Sequence, residues 1–269
     1  MSTPPQPPTP AQFGEEGRRL SYGSYLKVGE LLSLQHPLAE PAAHDEHLFI
    51  VVHQVYELWF RQLLHELDTI RGHLFAGRAA DARHLFNRVH EIERVLVQQV
   101  GVLETMTPTD FMEFRRNLAP ASGFQSAQFR EVEFVSGLRD ETMTARLDPM
   151  PDEAERMTRR LGEPTLWDAY CALLSSRGLP MPDGDARARR ESLLRMTRER
   201  DRYVDEHAIG EALLTHDELF ALWRHRHVLM VERQIGTKSG TGGSAGAPYL
   251  RSTLGKRFYP ELWDLRSYL

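Results

Sequence analysis

Residues 44 to 74 read HDEHLFIVVHQVYELWFRQLLHELDTIRGHL, and the reading of this stretch decides the fold. It predicts one long helix that starts behind Asp45 as N-cap and continues to about Leu74. At about 100° per residue, Phe49, His53, Tyr56 and Phe60 fall within one narrow arc of that helix. A single imidazole is thus set into an aromatic stripe that would otherwise be plain core. Taken alone, the segment is explained most simply by a core histidine satisfied by a hydrogen bond. The distant segments shift the balance toward function.

Outward toward the C-terminus, a turn at Gly77 leads into a second amphipathic helix with Ala82, Leu85, Val89, Ile92, Leu96, Val100 and Leu103 on its apolar face. So short a connection predicts antiparallel packing of the two. Thr107-Pro108-Thr109-Asp110 restarts a short helix carrying Phe111, Phe114 and Arg115, which the loop Leu118 to Phe124 breaks. Residues 125 to 136 read as helix again. Between 137 and 187 the pattern weakens, and 164 to 176 is the clearest helix there. Arg187 to His207 predicts a charged surface helix, and a last long helix is expected from near Asp217 to a stop at Gly236. Within about 80° of His227 lie Leu219, Phe220, Trp223, Met230, Val231 and Ile235, while His225 lies nearly opposite. The expectation is a buried His227 and a solvated His225. The glycine-rich loop 236 to 246 follows, and the apolar segment Phe258 to Leu265 is expected to tuck against the body.

Outward toward the N-terminus, Pro37 to Pro41 reads as a linker, preceded by a short helix that begins around Tyr22 and ends before Pro37. Tyr22 and Tyr25 share one side of a turn, and the residues leave open whether they are surface, core or pocket wall. Five of the first ten residues are proline, so residues 1 to 17 are expected to be a disordered tail before a single domain spanning 18 to 269. With no strand pattern and no internal repeat, the fold class is all-α, a helical bundle.

Composition narrows the partners. The net charge is -5, with no basic footprint for nucleic acid or an anionic membrane. Cys171 is the only cysteine, which excludes intrachain disulfides, cysteine-cluster metal sites and covalent haem attachment, and suits a reducing cytosol. The N-terminus lacks the basic and apolar regions of a signal peptide, and no run approaches the roughly 20 apolar residues that span a bilayer.

Spacing sets several chemistries aside. No Glu-x-x-His occurs, against a ferritin-like di-iron bundle, and no His-Glu-x-x-His, against a zincin. His44-Asp45-Glu46-His47 reads more simply as first-turn charges than as a metal site. Gly240-Thr241-Gly242-Gly243-Ser244-Ala245 matches a dinucleotide fingerprint in letters only, since it follows a helix rather than a strand. Such a loop can instead fold closely over a ligand, presenting the Thr241 hydroxyl and backbone amides, or serve as a plain flexible linker. Two apolar-face histidines on separate helices are compatible with a haem held by histidine.

Five motifs, in order, resemble the tryptophan 2,3-dioxygenase family. They are Tyr22-Gly23-x-Tyr25-Leu26, the run His44-Asp45-Glu46-x-Leu48-Phe49-Ile50-Val51-x-His53-Gln54-x-x-Glu57-Leu58-Trp59, Phe114-Arg115, Ser122-Gly123-Phe124-Gln125-Ser126, and Lys238-x-Gly240-Thr241-Gly242-Gly243-Ser244. The resemblance covers residue 18 onward. It implies a cytoplasmic, all-helical homotetramer with one non-covalent haem b per subunit, inserting both atoms of O2 across the indole C2=C3 bond of L-tryptophan to give N-formyl-L-kynurenine. By the same resemblance His227 is the proximal iron ligand and His53 the distal histidine that accepts the indole N–H. Phe49 and Phe111 line the indole pocket, Arg115 pairs with the substrate carboxylate, and Thr241 contacts the ammonium and carboxylate. Tyr22 and Tyr25 match pocket residues given by a neighbouring subunit. Ala245 departs from the second serine of many relatives, and residues 137 to 210 match weakly. A related haem enzyme acting on a substituted indole or tyrosine is an alternative, as is a haem carrier or sensor. The last makes poor sense of Arg115 and Thr241.

Overall fold

Residues 21–141 and 150–269 are described by the computed structural model, and every regular element among them is helical. The expected tail, residues 1 to 17, lies outside the described residues. In chain order the first elements are α1 (Tyr22–Tyr25), α2 (Val28–Leu31), α3 (His44–Phe75), α4 (Ala79–Leu103), α5 (Pro108–Phe114) and α6 (Ala127–Ser136). They are followed by α7 (Pro151–Gly162), α8 (Leu166–Ser176), α9 (Ala186–Arg198), α10 (Val204–Ile235), α11 (Ala247–Ser252) and α12 (Pro260–Leu265).

The run from residue 44 is the central helix. α3 buries Val52, Tyr56, Phe60, Leu63, Leu67, Ile70 and Leu74, the stripe that the helical period predicts. Its N-cap is Ala43 rather than Asp45, which sits in the first turn beside Glu46. The buried Glu46 carboxylate accepts from the backbone amides of Leu38 (2.8 Å) and Ala39 (2.9 Å), so it satisfies the linker before the helix while opposing the dipole at its start. Across the α3–α4 seam, Gln99 Nε2 donates to the Val52 carbonyl, the Tyr56 hydroxyl to the Leu96 carbonyl, and Arg88 pairs with Glu66. Numbers fall on one helix as they rise on the other, so the pair is antiparallel, as expected.

α10 completes the core and runs parallel to α4. His90 meets the Ala212 carbonyl, Arg226 pairs with Glu104, and Gln234 donates to the Met106 carbonyl. This helix begins at Val204, not near Asp217, because Ile209, Leu213 and Leu214 extend its buried face upstream. Gly210 is needed there: a Cβ on it would stand 2.7 Å from the Tyr170 hydroxyl, which donates to the Glu206 carbonyl. The charged helix expected over 187 to 207 accordingly ends at Arg198 as α9. Upstream, the single short helix expected after Tyr22 is two single turns, separated at Lys27 by its positive φ of 55°.

α7 falls in the weakly patterned stretch and was not expected. Its inner face is held by ion pairs, Arg160 to Asp68 and Arg156 to Glu131, around only one buried apolar residue, Met157. The C-terminal segment tucks in as expected. Asp217 accepts from the backbone amides of Phe258 (2.9 Å) and Tyr259 (3.2 Å) and from Trp263 Nε1 (2.9 Å), pinning α12 to α10. No helix among the described residues is long and apolar enough to cross a membrane.

Candidate active site

A cavity of about 260 Å³ opens within this frame. α3 lines it with Phe49, His53, Tyr56, Glu57 and Phe60, and α10 with Trp223, Arg224, His227 and Val231. Phe111, Arg115, the segment around Ser122 to Phe129, and the loop through Gly240, Thr241 and Ser244 complete it. The two helices are brought together by aromatic packing: Tyr56 meets Trp223 edge-on at 6.1 Å, and Phe129 bridges Phe60 (5.6 Å) and Trp223 (5.1 Å).

His53 is set by its own helix. Its Nδ1 lies 2.7 Å from the Phe49 carbonyl oxygen. A carbonyl only accepts, so in the neutral ring Nδ1 carries the proton and Nε2 keeps a lone pair. Burial lowers the pKa below the ordinary value, against the opposing effects of that hydrogen bond and of Glu57 one turn on. The ring is neutral at pH 7, an acceptor rather than a cation. Phe49 lies against it at 4.0 Å and is backed by Phe111 (5.9 Å) and Phe114 (5.6 Å).

His227 differs in kind. Burial, with a smaller effect of His53, lowers its pKa to about 4, and among the described residues no hydrogen bond offsets either cause. It is a neutral imidazole with ring nitrogen free to bind, stacked on Trp223. His225, two residues away, is exposed with Nδ1 at 3.1 Å from the Ala221 carbonyl, as expected. No group of three His, Cys, Asp or Glu that could hold a bare metal ion occurs among the described residues. One unrestrained imidazole in an aromatic cavity does fit an iron whose other ligands come from a macrocycle, so the residues present fit a haem.

The polar groups come from two loops that hold each other. Arg115 opens a 3-10 turn directly after α5 and donates to the Ser239 carbonyl. Thr241 Oγ1 donates to the Ala121 carbonyl at 2.6 Å. The glycines explain the closeness: a Cβ on Gly242 would stand 2.6 Å from Ser122 Cβ, and one on Gly246, at φ +68°, 2.5 Å from the Lys238 carbonyl oxygen. The loop is a folded cover rather than a slack linker. Arg115 partners a carbonyl rather than a carboxylate, which leaves its charge for an incoming anion.

The structure thus brings together Phe49, His53, Phe111, Arg115, Thr241 and His227 around one cavity. It does not bring Tyr22 and Tyr25 there; they are 79% and 69% exposed. Sequence reasoning missed Glu57, Phe124, Phe129, Arg130, Glu133, Arg224 and Tyr249 as cavity residues. Trp223 four residues before His227 was a usable signal, since that spacing stacks side chains on a helix. Buried charges such as Glu133 and Arg224 leave no such trace, because apolar periodicity reads them as surface.

The family model described as Tryptophan 2,3-dioxygenase matches residues 8–174 and 186–269. The chain is 56% identical to the tryptophan 2,3-dioxygenase of Nocardioides sp. over 262 residues, 96% of this chain and 97% of that one. It is 44% identical to the tryptophan 2,3-dioxygenase of Herpetosiphon aurantiacus, covering 92% and 98% of the two chains, and 46% identical to that of Anaeromyxobacter sp., covering 93% and 96%.

Proposed function

This chain belongs to the tryptophan 2,3-dioxygenase family, and from that membership we propose that the cavity between α3 and α10 is its active site. The reaction adds both atoms of O2 across the indole C2=C3 bond of L-tryptophan to give N-formyl-L-kynurenine, the first step of the kynurenine pathway. The observation that carries the site assignment is the pairing of two neutral histidines of different character, the hydrogen-bonded His53 and the unrestrained His227, on one aromatic cavity.

Haem b, one per subunit and held through His227, supplies the oxygen chemistry when bound. The chain's own work is to bind, orient and keep water from the substrate. His53 Nε2 accepts the indole N–H, and its tautomer is fixed in advance by the Phe49 carbonyl. Phe49, with Phe111 behind it, lines the pocket for the flat ring. Arg115 exchanges the Ser239 carbonyl for the substrate carboxylate, a stronger partner because it is charged and bidentate. Thr241 keeps its proton on the Ala121 carbonyl while its oxygen lone pairs face the ammonium, so the loop need not unfold to bind.

The same reading makes residues 18 to 269 one domain behind a tail, 1 to 17, and has the enzyme working in the cytoplasm as a homotetramer. Tyr22 and Tyr25 then complete a neighbour's site. Supporting this, Tyr22, Tyr25, Leu26, Leu31, Leu32, Leu34 and Leu38 are all exposed within a short arm, an apolar surface suited to a second copy. The test is to reduce the purified enzyme, supply L-tryptophan and 18O2, and analyse the product by mass spectrometry. N-formylkynurenine with both oxygens labelled is expected; no product, or a single label, contradicts the reaction.

A further inference from the structure

One part of the cavity wall has no role in the reading above. Arg130, Glu133 and Arg224 line the same cavity as His227 and are 6%, 4% and 3% exposed. Glu133 bridges the two guanidinium groups, with Oε2 at 2.6 Å from Arg130 Nη1 and Oε1 at 2.9 Å from Arg224 Nη2. Arg224 Nη1 also points to the Lys256 carbonyl at 3.4 Å. Among the described residues, the buried Nε–H of each arginine has no partner. Aromatic rings flank both groups: Phe124 and Phe129 at 5.0 and 5.1 Å from Arg130, Phe258 and Phe220 at 5.2 and 5.8 Å from Arg224.

The charge does not balance. The ion pairs of the described residues give this cluster two cations and one carboxylate, so a net positive charge is held out of water. Such a charge is costly unless an anion meets it. A structural bridge between α6 and α10 would need one arginine, not two. With the faces of the guanidinium groups flanked by rings, their in-plane edges remain, and these match a planar carboxylate. Arg115 already serves the substrate carboxylate, on the wall shared by Phe49 and Phe111. The cluster lies instead with Phe129 and Trp223, on the wall that carries His227.

We propose that Arg130 and Arg224, bridged by Glu133, form a carboxylate-binding subsite in the cavity, and that it takes a carboxylate side chain of the haem. This rests on the haem reading of the site. Arg130 and Arg224 then choose how the cofactor is turned about its axis, a choice that a single histidine ligand leaves open.

The test titrates the haem-free full-length chain with haem and with haem dimethyl ester, followed by the absorbance of the bound cofactor. Wild type is expected to bind the free acid at least about tenfold tighter than the diester. Arg130→Leu and Arg224→Leu should lose most of that ratio. Glu133→Gln, of unchanged shape, removes the competing internal anion and should raise the ratio, so it keeps the test decisive if the arginine variants do not fold. Wild type binding both forms equally, or arginine variants keeping the full ratio, overturns the subsite. Wild type binding neither form overturns the haem reading itself. A shift in tryptophan-over-tryptamine preference with an unchanged ester ratio assigns the cluster to substrate and also overturns the proposal.

Discussion

The Trp223 indole lies parallel to the His227 imidazole, with centroids 5.2 Å apart and planes within 3°. Trp223 comes one turn earlier on α10, so the helix itself fixes the plane of the ring that faces the cavity. Its partner His53 is fixed by a hydrogen bond to the carbonyl one turn back. Among the described residues one imidazole is thus held by stacking and has no hydrogen bond at its ring nitrogens, while the other is held by its Nδ1 and leaves Nε2 as an acceptor.

His227→Ala is accordingly expected to give a folded, helical protein with little haem. His225→Ala, on the exposed side of α10, should bind haem normally. Haem content and the absorption spectrum measure both; full occupancy with an unchanged spectrum in His227→Ala removes it as the iron ligand.

His53→Ala should weaken turnover without abolishing it. The indole N–H is a very weak acid, and a neutral hydrogen bond is worth about 0.5 to 1.5 kcal/mol, or about two- to twelvefold in kcat/KM. Complete loss of product in haem-replete, tryptophan-bound enzyme would make His53 an obligatory base instead.

How much of this was legible depended on whether a residue's role leaves a period. Phe49, His53 and His227 stand on apolar arcs, and the helices carrying them were found for that reason. Arg115 and Thr241 carry no apolar period: the glycine-rich loop pointed to the Thr241 hydroxyl as a ligand contact, but only the family motifs gave it and Arg115 their roles. α7 escaped because Arg156 and Arg160 hold its inner face, and a charged inner face reads as surface. α10 starts upstream of the expected Asp217 because Ile209, Leu213 and Leu214 already continue its buried face, next to the residues expected as a separate charged helix.

Acid sensitivity follows from His90. Burial is the main cause that lowers its pKa to about 4, with Nε2 2.9 Å from the Ala212 carbonyl as the largest opposing effect. The unfolded chain protonates this group near the ordinary value of about 6.5. Between about pH 6.5 and 4 the unfolded state therefore binds more protons, and stability falls as pH falls. Denaturant unfolding of the haem-free chain should show a steady loss over that window and no contribution from this group above it. His90→Gln should lessen the loss without removing it, because burial also lowers the pKa of His53 and His227 in the haem-free chain; parallel profiles for the two proteins would exclude His90 as a contributor.

The exposed arm gives a further expectation. Removing residues 1 to 10 should change little, whereas removing 1 to 26, with Tyr22 and Tyr25, should impair tryptophan binding more than haem content. Equal activity of the two truncated enzymes would show that these tyrosines are not part of any active site.

The most direct test of the site concerns Arg115, because it decides whether the cavity is built for an amino acid or for any indole. A charge-assisted pair with the carboxylate is worth roughly 1.5 to 3 kcal/mol, or about ten- to a hundredfold in kcat/KM. The measurement is kcat/KM for L-tryptophan and for tryptamine, which lacks the carboxylate, in wild type and in Arg115→Leu. The account predicts that the mutant loses about that factor for tryptophan and far less for tryptamine, so that its preference collapses. Equal discrimination by wild type and mutant would contradict Arg115 as the carboxylate anchor and, with it, the arrangement of substrate in this cavity.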